Sequence, residues 1–269
     1  MMLPVAPRHP IVLVHGLGGF DCVRIELLRL YSVQIEYFNG IADRLRARGA
    51  TVHTAALPPG GAIAERAEAL RRFIDANVRE PKFHLVAHSM GGLDSRHYLT
   101  ALSGAERAVS LTTLATPHHG SALADLTTLH LIEPVARLLG KFGPQQWVEE
   151  LYRQTAAHSD LRPASCAEFN ARTPNAPGVA YYSWAGEPPN AALHGLLQLP
   201  GAVLARLEDG PNDGLVSVGS AKWSGWRGTV PADHISLVGW QFTRAARDRF
   251  DPAAFYDKLI PDLLAAEAG

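Results

Sequence analysis

The stretch HLVAHSMGGLDSRHYL, residues 84–99, decides the fold. It continues an apolar strand, Phe83–Ala87, and passes without a linker into a helix over Met90–Leu102. Ser89 stands between them, with the small residue Ala87 two positions before it and Gly91 two positions after. A turn that tight leaves no room for large side chains at those two positions. It lifts the serine hydroxyl above the sheet edge and aims the first helical N–H groups at whatever the hydroxyl attacks. Taken alone, the pattern also fits a serine capping a helix whose glycines permit close packing. The rest of the chain must decide.

Upstream, Ile11–Val14 (IVLV) reads as a buried strand running into His15-Gly16-Leu17-Gly18-Gly19. A glycine-rich loop at a strand end frees backbone N–H groups to face an oxyanion. There is no GxGxxG and no GxxxxGK[ST], so nucleotide binding has little support. Helical spacing is read over Tyr37–Arg48, stopped by Gly49, and over Gly61–Val78, with a strand over Thr51–Ala55 between them. Val109–Ala115 is a further strand, Val179–Ala185 resumes the sheet, and Leu215–Val218 is expected as a short strand. Phe255–Ala266 closes the chain as a helix. Short apolar strands alternating with amphipathic helices predict an α/β protein with a mainly parallel sheet covered on both faces. The alternation lapses over residues 121–177. There Leu123, Leu126, Leu129, Ile132, Val135 and Leu138 suggest one helix, and Trp147–Ala157 a second. That segment is too long for a bare loop and is expected as a helical cap inserted into a single domain spanning 1–269.

Composition excludes several classes. Of 269 residues, 47% are hydrophobic and 19% charged, which is globular. Twenty-five basic against 26 acidic side chains give a net charge of −1, so nothing favours a nucleic-acid partner or an anionic membrane. Cys22 and Cys166 share no metal-type spacing and read as buried free thiols rather than a bridge. The opening MMLPVAPRHP carries no apolar run of the signal-peptide kind, and no segment reads as an integral membrane span; a cytoplasmic location is the expectation, with secretion as the alternative if a leader has been removed.

These blocks resemble the α/β-hydrolase superfamily and, within it, the bacterial triacylglycerol lipases. The likeness is carried in order by PIVLVHGLGGF at 10–20, HLVAHSMGGLDSRHYL at 84–99, TLATPHHGSALAD at 113–125, YYSWAG at 181–186, NDGLVSV at 212–218 and DHISLVGW at 233–240. It implies an α/β-hydrolase fold and a Ser, Asp, His order of catalytic residues. Ser89 matches the nucleophile, Asp213 the acid and His234 the base. The resemblance further implies that the backbone N–H groups of Leu17 and Met90 form the oxyanion hole. Asp209 is a rival acid, four residues before Asp213, but lacks the Asn-Asp-Gly turn. Asp94 and Asp233 read as structural. His15 and His88 read as hydrogen-bonding to loops, and His118 and His119 as neighbours of the pocket.

The function that follows is carboxylic-ester hydrolysis of hydrophobic acyl or lipid substrates. A thioesterase, acyltransferase or polyester depolymerase could use the same triad, and an inactive lipid-binding module is the remaining alternative. No cofactor is expected. Secreted lipases of this kind would suggest a calcium ion steadying the histidine loop, with an aspartate two residues after the histidine. Here that position is Ser236, a neutral hydroxyl that suits a hard cation poorly. The expectation is therefore no metal, with the loop held by protein contacts from Trp223, Trp226 or Trp240.

Overall fold

A computed structural model of the chain describes residues 6–19, 22–27, 31–125, 156–189, 193 and 195–268. Its centre is a six-stranded sheet in the order β4-β1-β5-β6-β7-β8, every neighbouring pair parallel. The strands are β1 (Ile11–Val14), β4 (Val52–Ala55), β5 (Phe83–His88), β6 (Ala108–Leu114), β7 (Ala180–Gly186) and β8 (Trp226–Val230). The helices are α1 (Ile41–Ala47), α2 (Ile63–Asn77), α3 (Gly91–Ala101), α4 (Pro163–Arg172), α5 (Gly195–Leu207), α6 (Val218–Ala221), α7 (Arg244–Arg249) and α8 (Pro252–Ala268).

Burial explains the unbroken apolar run of β1. Ile11 and Leu13 face a core shared with Ile41 and Leu45 of α1 and Phe255, Leu259 and Leu263 of α8. Val12 and Val14 face the opposite core, with Ala67, Leu70 and Ile74 of α2 and Tyr98 and Leu99 of α3. A strand covered on both sides needs no polar alternation. The expected mainly parallel sheet with helices on both faces is thus present.

Several sequence expectations need correction. Tyr37–Gly40 are not helical: α1 begins at Ile41, and Gly40 precedes it at φ +69, a left-handed conformation that glycine reaches without strain. Leu215–Val218 is not a strand. The Leu215 and Val216 N–H groups both turn to Asp213 Oδ1 (3.0 and 2.8 Å), and Ser217 then caps α6. Those residues are apolar because they pack with Ala185 of β7 and Ala221 of α6, not because they join the sheet. An antiparallel hairpin, β2 (Cys22–Leu27) with β3 (Tyr31–Glu36), and the edge strand β8 were not anticipated. The two helices expected within 121–177 fall largely on residues 126–155, outside the described residues. The described flanks are helical at 122–125 and 156–160, followed by α4. Cys166 is a buried free thiol, as expected.

Candidate active site

The turn between β5 and α3 has the geometry that its residues dictate. Ser89 sits at φ +55, a conformation costly for a non-glycine residue and tolerated where the surroundings over-determine it. Its N–H donates to Leu114 O (2.9 Å), and its carbonyl accepts from Gly92 N–H (3.1 Å) and from the Thr116 hydroxyl (2.8 Å). A Cβ on Gly91 would lie 2.7 Å from both Val14 O and His15 O; one on Gly92 would strike the Thr116 side chain. The glycines therefore let α3 begin directly against the end of β1.

The glycine-rich loop after β1 lies against this turn, since a Cβ on Gly16 would come 2.6 Å from Ser89 Cβ and 3.1 Å from its Oγ. Arg66, fully buried on α2, holds the loop: Nη2 donates to His15 O (2.8 Å) and Gly16 O (3.2 Å), Nη1 to Pro58 O, and Nε to Asp94 Oδ2 (2.8 Å). Burial pushes the Asp94 carboxyl up to about 7 against the pull of Arg66. Asp94 is thus structural, as expected. His15 accepts Leu57 N–H at Nε2 (3.2 Å), and burial, with the Arg66 charge, holds it down at about 4. Gly16 N–H donates to the Tyr37 hydroxyl (3.3 Å) and Gly18 N–H to Pro59 O (2.7 Å). The Leu17 and Met90 N–H groups take no partner among the described residues.

At the far end of the chain, Asp213 and His234 meet. His234 Nδ1–H donates to Asp213 Oδ2 at 2.7 Å, and His234 N–H to Asp213 O at 2.9 Å. Asp213 is fully buried, and its other oxygen, Oδ1, is occupied by the Leu215 and Val216 N–H groups. The rival Asp209 is in the left-handed region at φ +47 and does not take this place. The His234 ring lies 4.5 Å, centre to centre, from the ring of His88, the residue immediately before Ser89. The structure thus brings the histidine–aspartate pair to the serine turn.

His88 and His118 have structural partners, and His119 lies 5.6 Å, centre to centre, from the Trp223 ring. His88 Nδ1 meets the Tyr37 hydroxyl at 2.7 Å; burial and the neighbouring His234 hold its pKa well below 6.5. His118 is buried and neutral, stacked on Trp223 at 5.0 Å and bonded to Thr113 Oγ1 (3.1 Å) and Arg96 (3.3 Å). Arg96 is itself buried without a carboxylate partner among the described residues. It lies 4.0 Å from the Trp223 ring and donates to Asn170 Oδ1 and Thr173 O (2.7 Å each). Burial lowers its pKa to about 10. This cluster ties α4 to α3.

Sequence reasoning missed Tyr37, Arg66 and Thr116. Arg66 left a signal: it falls on the same helical stripe as Ile63, Ala67, Leu70 and Ile74, where a charge has to be buried and paired. Tyr37 left none, because it was read as the first turn of a helix.

The donors of the histidine loop do not suit calcium. Asp233 Oδ1 is spent on the Ser236 N–H (2.8 Å), and Ser236 offers only a hydroxyl. Among the described residues no helix is long and apolar enough to cross a membrane.

A doubly covered parallel sheet, a strained serine turn at the end of its third strand from the edge and a buried aspartate–histidine pair beside it define an α/β-hydrolase. No model of a protein family matches the chain. It is 30% identical to triacylglycerol lipase 2 of Saccharomyces cerevisiae, over 96% of this chain and 91% of that protein. It is 29% identical to a triacylglycerol lipase of Pseudomonas fragi, over 94% of each. Among solved structures, the mature lipase of Bacillus licheniformis superposes with a TM-score of 0.67 at 25% identity, over 97% of this chain and 93% of that one. The Staphylococcus hyicus lipase shares the fold, with a TM-score of 0.75 at 18% identity. The chain belongs to the triacylglycerol lipase family and is a carboxylic ester hydrolase of the lipase/esterase type.

Proposed function

We propose that the chain hydrolyses hydrophobic acyl esters through an acyl-enzyme on Ser89. Ser89 Oγ attacks the ester carbonyl while His234 Nε2 takes its proton. The Leu17 and Met90 N–H groups receive the oxyanion. His234 returns the proton to the leaving alkoxide, and water then cleaves the acyl-enzyme by the same route. Asp213 holds Nδ1–H, so that Nε2 is the nitrogen facing the reaction, and it stabilises the imidazolium. The single observation that carries this reading is the 2.7 Å Asp213–His234 bond beside a serine held at φ +55.

In this reading residues 121–177 form the cap of a single hydrolase domain, 1–269. Its described flank supports that role: Ala157, Leu161, Cys166 and Phe169 pack with Leu17, Met90 and Leu93, against the loop and the turn that carry the oxyanion donors. The names of the relatives support a lipid ester as substrate.

The test is a chain-length series of p-nitrophenyl esters run beside matched thioesters and competing alcohols. Hydrolysis of long-chain oxygen esters above acetate supports the reading. A preference for thioesters, or transfer to alcohol in place of water, overturns it.

A further inference from the structure

The loop that carries His234 is fastened to the four residues Glu36–Asn39, which begin with the last residue of β3. The Trp240 indole N–H donates to both Glu36 O and Tyr37 O, each at 3.1 Å. Asn39 N–H donates to Val238 O (2.9 Å) and Asn39 Nδ2 to Gly239 O (3.1 Å). Gly239 is at φ +91, and a Cβ there would lie 2.4 Å from Asn39 O, so the contact admits only glycine.

The same four residues reach the opposite side of the site through one side chain. The Tyr37 hydroxyl accepts Gly16 N–H, which orients the peptide leading to the Leu17 N–H. It also sits 2.7 Å from His88 Nδ1, within hydrogen-bond distance of that ring. The His88 ring in turn leans on His234.

We infer that Glu36–Asn39 is a strut registering the histidine loop against the oxyanion loop and the serine turn, with Tyr37 and Trp240 as positioning residues. It does with hydrogen bonds what a calcium ion would do in the secreted lipases that the sequence resembles. A bound ion steadies such a loop by gathering carboxylates; here the donors are an indole, an amide side chain and backbone, and the acceptors are carbonyls. The inference rests on the triad reading above. It adds that the two halves of the site are coupled through one segment.

The test uses Tyr37→Phe, which removes one oxygen, and Trp240→Phe, which removes the indole N–H. Each is measured for kcat, KM and melting temperature on a p-nitrophenyl ester. Misplacing a reacting group by an ångström costs up to about 100-fold, so kcat should fall between about 10- and 100-fold, with KM within about twofold. Because both act through one strut, the double variant should lose little more than the worse single. EDTA should leave wild-type activity unchanged, and calcium should rescue neither variant. Single variants with wild-type kcat overturn the inference, as do effects that simply multiply, or wild-type activity lost to EDTA and restored by calcium. Ser89→Ala separates the two readings. If it is inactive while Tyr37→Phe is fully active, only the strut fails; if it retains activity, the triad fails.

Discussion

Replacing Asp213 by Asn changes one atom at a place where the structure leaves that atom no freedom. In the native turn, Oδ1 accepts two backbone N–H groups, from Leu215 and Val216, while Oδ2 accepts His234 Nδ1–H. An asparagine that keeps its oxygen on the two N–H groups must point its NH2 at His234. Nδ1 then becomes the acceptor, and the ring proton moves to Nε2, the nitrogen that has to take the proton of Ser89. The escape is to flip the amide, which sets an NH2 against two buried N–H donors. At about 1–3 kcal/mol for each lost bond, the flip costs about 2–6 kcal/mol. Turnover should therefore fall between about 30-fold and about 10⁴-fold, the upper figure matching the loss for the same exchange in the serine-protease triad. Steady-state hydrolysis of a p-nitrophenyl ester reads the change, with KM near its wild-type value and the melting temperature little altered. A folded Asp213→Asn protein with turnover within fivefold of wild type refutes the assignment of the acid and the tautomer argument together.

Gly91→Ala should cut turnover by about 100-fold, because its Cβ meets two backbone carbonyls, Val14 O and His15 O, which cannot swing aside; steady-state kinetics on a folded variant checks it. Arg96→Ala should lower stability by at least about 3 kcal/mol in urea titrations, since it strands Thr173 O and Asn170 Oδ1 and strips a cation from the Trp223 face. Stability should also fall on acidification below neutrality. His15, held at about 4, and His88 and His118, held well below 6.5, refuse protons that the unfolded chain accepts below about 6.5. The stability each contributes at neutral pH is lost as pH falls from about 6.5 toward its folded value; for His15, held at about 4, the loss is about 2 kcal/mol by pH 5. Asp94, raised to about 7, binds its proton more tightly when folded and returns part of that loss over the same range. A urea midpoint equal at pH 7.5 and pH 5 contradicts this balance.

The parallel core was legible because strands buried on both faces have no choice but to be apolar, as Ile11–Val14 and Phe83–Ala87 are. Elements at the margin were harder to see. The β2–β3 hairpin alternates Val23, Ile25 and Leu27 with Arg24 and Glu26, but the sequence between the two strands has no glycine, proline or asparagine to announce a hairpin. Strand β8 is interrupted by Gly228 at φ +116, and α5 contains Pro200, so each carries a residue that argues against its own element. Leu215 and Val216 misled in the other direction, since an apolar pair can cover a turn as well as form a strand. In the site, Asp213 and His234 were found through motif order, and their meeting across 21 residues follows from β8 returning the chain alongside β7. The groups that hold the site, Tyr37, Arg66 and Thr116, act through side-chain hydrogen bonds to residues far along the chain. No spacing along the chain encodes those.

The most direct test of the central claim is to treat the intact protein with a fluorophosphonate probe and locate the adduct by peptide mass spectrometry. Such a probe traps a serine only where a neighbouring base has activated it. The account predicts one adduct, on the peptide containing Ser89, formed in step with the loss of ester hydrolysis. It also predicts a folded Ser89→Ala protein that neither labels nor turns over, since losing the nucleophile of a triad costs on the order of 10⁶ in rate. An adduct on another serine, or a folded Ser89→Ala protein that keeps a tenth of wild-type activity, contradicts it.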